Sequence, residues 1–120
     1  MRVLTVKNGA ALARIWRRHL ERHGAEVHAA ASDAEAIDQL DEETFDIIVL
    51  NLVLGNGSAF AVADVAQYRH PGTRVVFVTN TTFFSDGSIF RYIPNACAFL
   101  PTATSPEDLA AVVDYYGVSQ

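Results

Sequence analysis

The stretch FDIIVLNLVLGNGSAF, Phe45 to Phe60, decides how this chain is read. Phe45 to Leu50 is almost continuously apolar, and a strand with that pattern is covered on both faces. The run ends on an amide, Asn51, and a loop containing Gly55, Asn56 and Gly57 follows. A doubly covered strand belongs to a parallel sheet with helices on both sides. In such sheets the functional crevice lies beyond the carboxyl ends of the strands, where Asn51 stands.

The same alternation extends in both directions. RVLTV (2–6) and AEVHAA (25–30) read as strands, and TRVVFVT (73–79) and ACAFLP (96–101) complete the set. Between them, AALARIWRRHLERHG places Leu12, Ile15, Trp16 and His19 or Leu20 at helical spacing, with Gly24 as the stop. SDAEAIDQLDEE is a helix capped by Ser32 or Asp33, and SAFAVADVAQYRH is helical up to Pro71. SDGSIFRYI is a short fourth helix that ends at Pro94. SPEDLAAVVDYYG is the fifth, with Ser105 as N-cap, Pro106 at its first position and Gly117 as its stop. Leu109, Val112, Val113 and Tyr116 form its core stripe, which leaves Ala110, Ala111 and Tyr115 outside. Five βα units in 120 residues predict one domain, 1–120, of α/β class with a doubly wound parallel sheet.

Composition narrows the function classes. Half of the residues are hydrophobic and 19% are charged, a globular balance. The net charge of −5 argues against a nucleic-acid partner. No apolar run approaches the roughly 20 residues of a membrane span, and MRVLTVKNGA lacks the features of a signal peptide, so a cytoplasmic location is expected. Met1 at one end and a stop soon after the last helix fit a free-standing domain. Cys97 is the single cysteine, which rules out an internal disulfide; it reads as a small hydrophobe. The four histidines do not cluster with carboxylates as a ligand set, and no metal or other cofactor is expected.

The strand tips resemble those of the receiver domains of bacterial two-component response regulators, over Arg2 to about Tyr116. FDIIVLNLVLGNGSAF is similar to that family's third strand and loop, VVFVTN to its fourth strand, and NACAFLPTATSPEDLAAVV to its closing segment. The resemblance implies a flavodoxin-like (βα)5 fold with strand order 2-1-3-4-5. It also implies roles for particular positions. The two metal-binding acids after the first strand correspond to Lys7 and Asn8, and the phosphoacceptor aspartate to Asn51. The lysine after the last strand corresponds to Thr102, and the proline beside it to Ala103. The switch hydroxyl, Thr79, and the switch aromatic, Phe99, are retained.

Chemistry sets the consequence. Phosphoryl transfer to a carboxylate needs an anionic oxygen nucleophile, and the amide of Asn51 is neutral. The reaction also needs Mg²⁺, which is held by hard oxygen ligands such as carboxylates. Lys7 reads either as an internal cation in place of the metal or as a lysine whose ammonium reaches solvent. Thr79 reads first as a β-branched strand end, and Phe99 first as a static aromatic. The expectation is a degenerate pseudo-receiver, not an enzyme, that works by protein–protein binding independently of phosphorylation. A conventional phosphoacceptor that uses non-standard residues is the alternative. A flavodoxin-like cofactor binder is weaker, because VKNGAAL lacks a phosphate-cradling loop.

Two surfaces stand out. The first helix carries Arg14, Arg17, Arg18 and Arg22 against Glu21, whereas Asp33 to Asp46 holds seven acids and no Lys or Arg. These are either ordinary solvated helix faces or a basic docking surface for an acidic partner. Phe83, Phe84, Ile89, Phe90, Tyr92, Ile93, Ala110, Ala111 and Tyr115 form a second candidate surface on the side of the fourth helix, fifth strand and fifth helix. It reads either as a broad core stripe or as a contact for a signalling partner or a homodimer.

Overall fold

The computed structural model describes residues 1–6, 10–51, 59–79 and 95–118. The strands are β1 (Arg2–Val6), β2 (Glu26–Ala30), β3 (Ile47–Asn51), β4 (Arg74–Thr79) and β5 (Ala96–Pro101). The helices are α1 (Ala10–Arg22), α2 (Asp33–Glu42), α3 (Ala59–Arg69) and α4 (Pro106–Val118). The five strands form one parallel sheet in the order β2-β1-β3-β4-β5. The short helix expected over 85–93 lies outside the described residues, so the helix expected as the fifth is α4 here.

β3 sits at the centre, and Ile47, Ile48, Val49 and Leu50 are all fully buried. Burying each of these side chains contributes about 1.5–3 kcal/mol. Successive side chains face opposite layers. Ile48 and Leu50 pack with Ala36, Leu40, Val62 and Ala66 of α2 and α3. Ile47 and Val49 pack with Trp16, Leu20, Leu109 and Val113 of α1 and α4. The two layers therefore pair α1 with α4 and α2 with α3, and α1 and α2 lie on opposite faces of the sheet.

Local signals set the helix ends. Gly24 has φ of +84°, and α1 closes with two hydrogen bonds, from Gly24 N to Glu21 O at 3.0 Å and from Ala25 N to Leu20 O at 3.3 Å. That is a Schellman motif, whose left-handed residue favours glycine. At α2 the cap is Ser32, which accepts from Glu35 N at 3.2 Å, while Glu35 accepts from the Ser32 hydroxyl at 3.4 Å. Ser105 accepts from Asp108 N at 3.2 Å and caps α4.

Three expectations are corrected. Gly117 does not stop the last helix, which runs to Val118; it packs against the flexible end of the Met1 side chain. Ile15 is 39% exposed rather than part of the core, because Trp16 and Leu20 fill the inner arc of α1. Ala110 is buried against the sheet beside Leu109 and is not an outer position.

Candidate functional site

The carboxyl ends of the strands are brought together by register. Val6 of β1 pairs with Leu50, the residue before Asn51. Asn51 pairs with Val78, Val78 with Leu100, and Thr79 with Pro101. Neighbouring strands are about 4.8 Å apart, so this edge gathers the ends of β1, β3, β4 and β5 into one shallow row. Asn51 is the last residue of β3 and only 4% exposed. By strand alternation it shares the face of Ile47 and Val49, toward α1 and α4. A buried amide is retained only where hydrogen bonds replace water.

Thr79 ends β4. Thr102 and Ala103 are exposed at the centre of a turn closed by Thr104 N donating to Pro101 O at 2.9 Å. Phe99 is half-buried on the α2–α3 side and stacks on the fully buried Phe77, with ring centroids 4.9 Å apart and planes 10° from parallel. Lys7 and Asn8 lie outside the described residues, as do Phe90 and Tyr92. Of the proposed interaction residues, the structure places Ala111 and Tyr115 on the outer side of α4. Tyr115 is 64% exposed and rests edge-on against Tyr116 at 5.0 Å.

Asn51, Thr79 and Thr102 are all uncharged, so none supplies an anionic oxygen. Among the described residues, no group of three or more His, Cys, Asp or Glu side chains is arranged to hold a metal ion. The charged contacts lie elsewhere. At the opposite edge of the sheet, a hydrogen bond from His28 and the nearby Arg2 lower the pKa of Glu26. Burial pushes the Cys97 thiol up to about 11, which keeps it protonated. Sequence reasoning missed the setting of Cys97. The β4–β5 register skips one residue there, pairing Val75 with Ala96 and Val76 with Ala98, so Cys97 is the extra residue of a bulge. No residue type nearby marks it in the sequence.

A family model of the response regulator receiver domain matches residues 3–113. The chain belongs to that family. Among solved structures, it resembles a CheY-like receiver domain from Methanospirillum hungatei, with a TM-score of 0.85 and 23% identity over 97% of this chain and 92% of that one. It also resembles the non-phosphorylated HemR receiver domain from Leptospira biflexa, with a TM-score of 0.87 and 20% identity over 99% and 95% of the two chains. The alginate biosynthesis transcriptional regulatory protein AlgB of Pseudomonas putida is 32% identical over 108 residues, 90% of this chain. The match covers 24% of that relative's length. The fold and the class are therefore those of a receiver domain of two-component signalling.

No described helix is long and apolar enough to cross a membrane.

Proposed function

We propose that this chain is a pseudo-receiver, which relays information by binding a signalling partner or a second copy of itself and accepts no phosphoryl group. The observation that carries the reading is Asn51, a buried amide at the end of the central strand, where the family resemblance puts the nucleophilic carboxylate. An amide oxygen has neither the charge nor the basicity to attack a phosphorus centre. Lys7 and Asn8 follow β1 at the positions of the metal-binding acids, and Thr102 follows β5 at the position of the lysine. Without carboxylates at these positions to hold Mg²⁺, the charge that develops on the transferred group loses its usual metal partner. In sequence, Lys7 follows Val6, whose register partner Leu50 precedes Asn51, and this order supports a resident cation as part of the proposal.

With no phosphoryl group to gate it, the output is constitutive binding. The side formed by β5 and α4 supports this reading, because β5 is only half-buried from Ala96 to Leu100 and Tyr115 stands exposed beside Ala111. Tyrosine is enriched among contact hot spots. Phe90 and Tyr92 belong to the same proposed surface.

Incubation with acetyl phosphate and Mg²⁺, read by intact mass, tests the reading. The expected spectrum is unchanged. A stable gain of one phosphoryl group would establish a conventional receiver that uses non-standard residues.

A further inference from the structure

α1 and α2 carry opposite charge on opposite faces of the molecule. On α1, Arg14, Arg18 and Arg22 recur every four residues and are all exposed. At 100° per residue they fall, together with Ile15, within an arc of roughly 100°. Arg17 lies outside this arc and pairs with Glu21 at 3.3 Å. Arg14, Arg18 and Arg22 form no ion pair with any described residue, and the partly exposed Ile15 flanks their row.

On α2, Glu35, Asp38 and Glu42 are exposed. They lie with the exposed Ala34 on a comparably narrow arc of about 100°. Other acids nearby are already engaged: Asp41 pairs with Arg69, and Glu43 with His28 at 3.3 Å. Asp38 and Glu42 form no ion pair with any described residue. With a rise of 1.5 Å per residue, the arginines span about 12 Å and the carboxylates about 10 Å, so the two rows match in length.

Each row is unfavourable alone. Arg14–Arg18, Arg18–Arg22 and Asp38–Glu42 are like-charge pairs four residues apart. Glu42 also sits at the carboxyl end of α2, where the helix dipole disfavours negative charge and no basic residue compensates. A cationic surface laid on α2 relieves both effects, and the chain carries such a surface on its other face.

We propose that the Arg14–Arg18–Arg22 row of α1 docks on the Glu35–Asp38–Glu42 row of α2 in a second copy of this chain. Ile15 seats beside the small side chain of Ala34. The contact joins unlike faces, so it is heterologous and propagates head to tail into short linear oligomers. It is distinct from the β5–α4 surface and does not depend on it.

Sedimentation velocity tests this with two charge-reversal variants. One is Arg14→Glu/Arg18→Glu/Arg22→Glu; the other is Asp38→Lys/Glu42→Lys. The wild type is expected to associate in about 0.01 M salt at concentrations up to about 1 mM. Raising salt to about 1 M shortens the screening length from about 30 Å to about 3 Å and should weaken association at least tenfold. Each variant alone should lose the salt-sensitive association. An equimolar mixture should recover a complex, because each variant retains the charge row that the other lacks. If a reversal unfolds the chain by circular dichroism, Arg18→Gln and Asp38→Asn replace it, each expected to weaken association severalfold. A wild type that stays monomeric in low salt overturns the proposal, as does a mixture of folded variants that remains monomeric. Wild-type association that is insensitive to both variants also overturns it, and loss on Tyr115→Asp alone assigns the contact to the β5–α4 surface.

Discussion

Replacing Asn51 with aspartate tests the proposal that a cation resides beside the end of β3. Asn51 is 4% exposed, so the new carboxyl would lose nearly all of its water. With no compensating charge, burial raises a carboxyl pKa by as much as 3–5 units. At about 1.4 kcal/mol per unit, that corresponds to ~4–7 kcal/mol against the ionised form at neutral pH. A lysine ammonium alongside reverses the sign, because it favours the charged form. Asn51→Asp is therefore expected to cost less than about 1.5 kcal/mol at pH 7 while Lys7 is present. Removing the cation as well, in Lys7→Met/Asn51→Asp, leaves an unpaired buried charge and should cost a further ~3–5 kcal/mol.

The two backgrounds also differ in their dependence on pH. With Lys7 present, the folded pKa at position 51 lies below the unfolded value of about 3.9. The carboxylate's contribution is then complete above that value and is lost as pH falls through the folded pKa. With methionine at position 7 the folded pKa is raised. The penalty is then absent below about pH 3.9 and grows as pH rises toward the folded value. Urea unfolding of the four proteins of the cycle, from about pH 2 to 8, gives both the coupling energy and the slopes. Equal costs for Asn51→Asp in the two backgrounds, with slopes of the same sign, would refute the resident cation. Asn51→Asp should still gain no phosphoryl group efficiently, because positions 7 and 8 continue to lack carboxylates.

Three further outcomes are expected. Cys97, with its pKa pushed up to about 11 by burial, should alkylate with iodoacetamide at pH 8 at least about a hundredfold more slowly than free cysteine. Gly24→Ala puts a side chain at φ of +84° and should lower stability by about 1 kcal/mol in chemical denaturation, although no atom lies near enough to clash. Tyr115→Asp, at a position 64% exposed, should shift stability by less than about 0.5 kcal/mol yet weaken any association through the β5–α4 side, as read by light scattering.

The parts of the fold that were legible in the sequence are those where one residue type meets one local need. A run such as Ile47–Leu50 has no second use for four adjacent apolar side chains, so double burial follows directly. Ser32, Ser105 and Gly24 act within one helical turn of themselves, and their neighbours suffice to predict them. Gly117 looked identical to Gly24 because both follow an apolar stripe. Its close neighbour is the Met1 side chain, more than a hundred positions away in the chain, and no local pattern carries that contact. The Cys97 bulge is equally non-local, since it exists only relative to the register of β4. Ala110 fits both the inside and the outside of a helix, and packing decided its place.

The site was legible for a different reason. Asn51 is conspicuous because burying a polar side chain at the end of a fully apolar strand costs free energy and so calls for a local purpose. Thr79 and Thr102 stand at strand ends too, but threonine suits such positions without any function, which leaves their roles to the family resemblance. Ile15 shows the limit of periodicity. It shares helical spacing with Leu12 and Trp16, but the inner arc of α1 is narrow enough that Trp16 and Leu20 fill it. An apolar residue displaced outward at the edge of a row of exposed arginines then belongs to a surface rather than to the core. This is why the charge rows of α1 and α2 could be counted in the sequence, whereas the exposed apolar side chain beside the arginines emerged only from the packing.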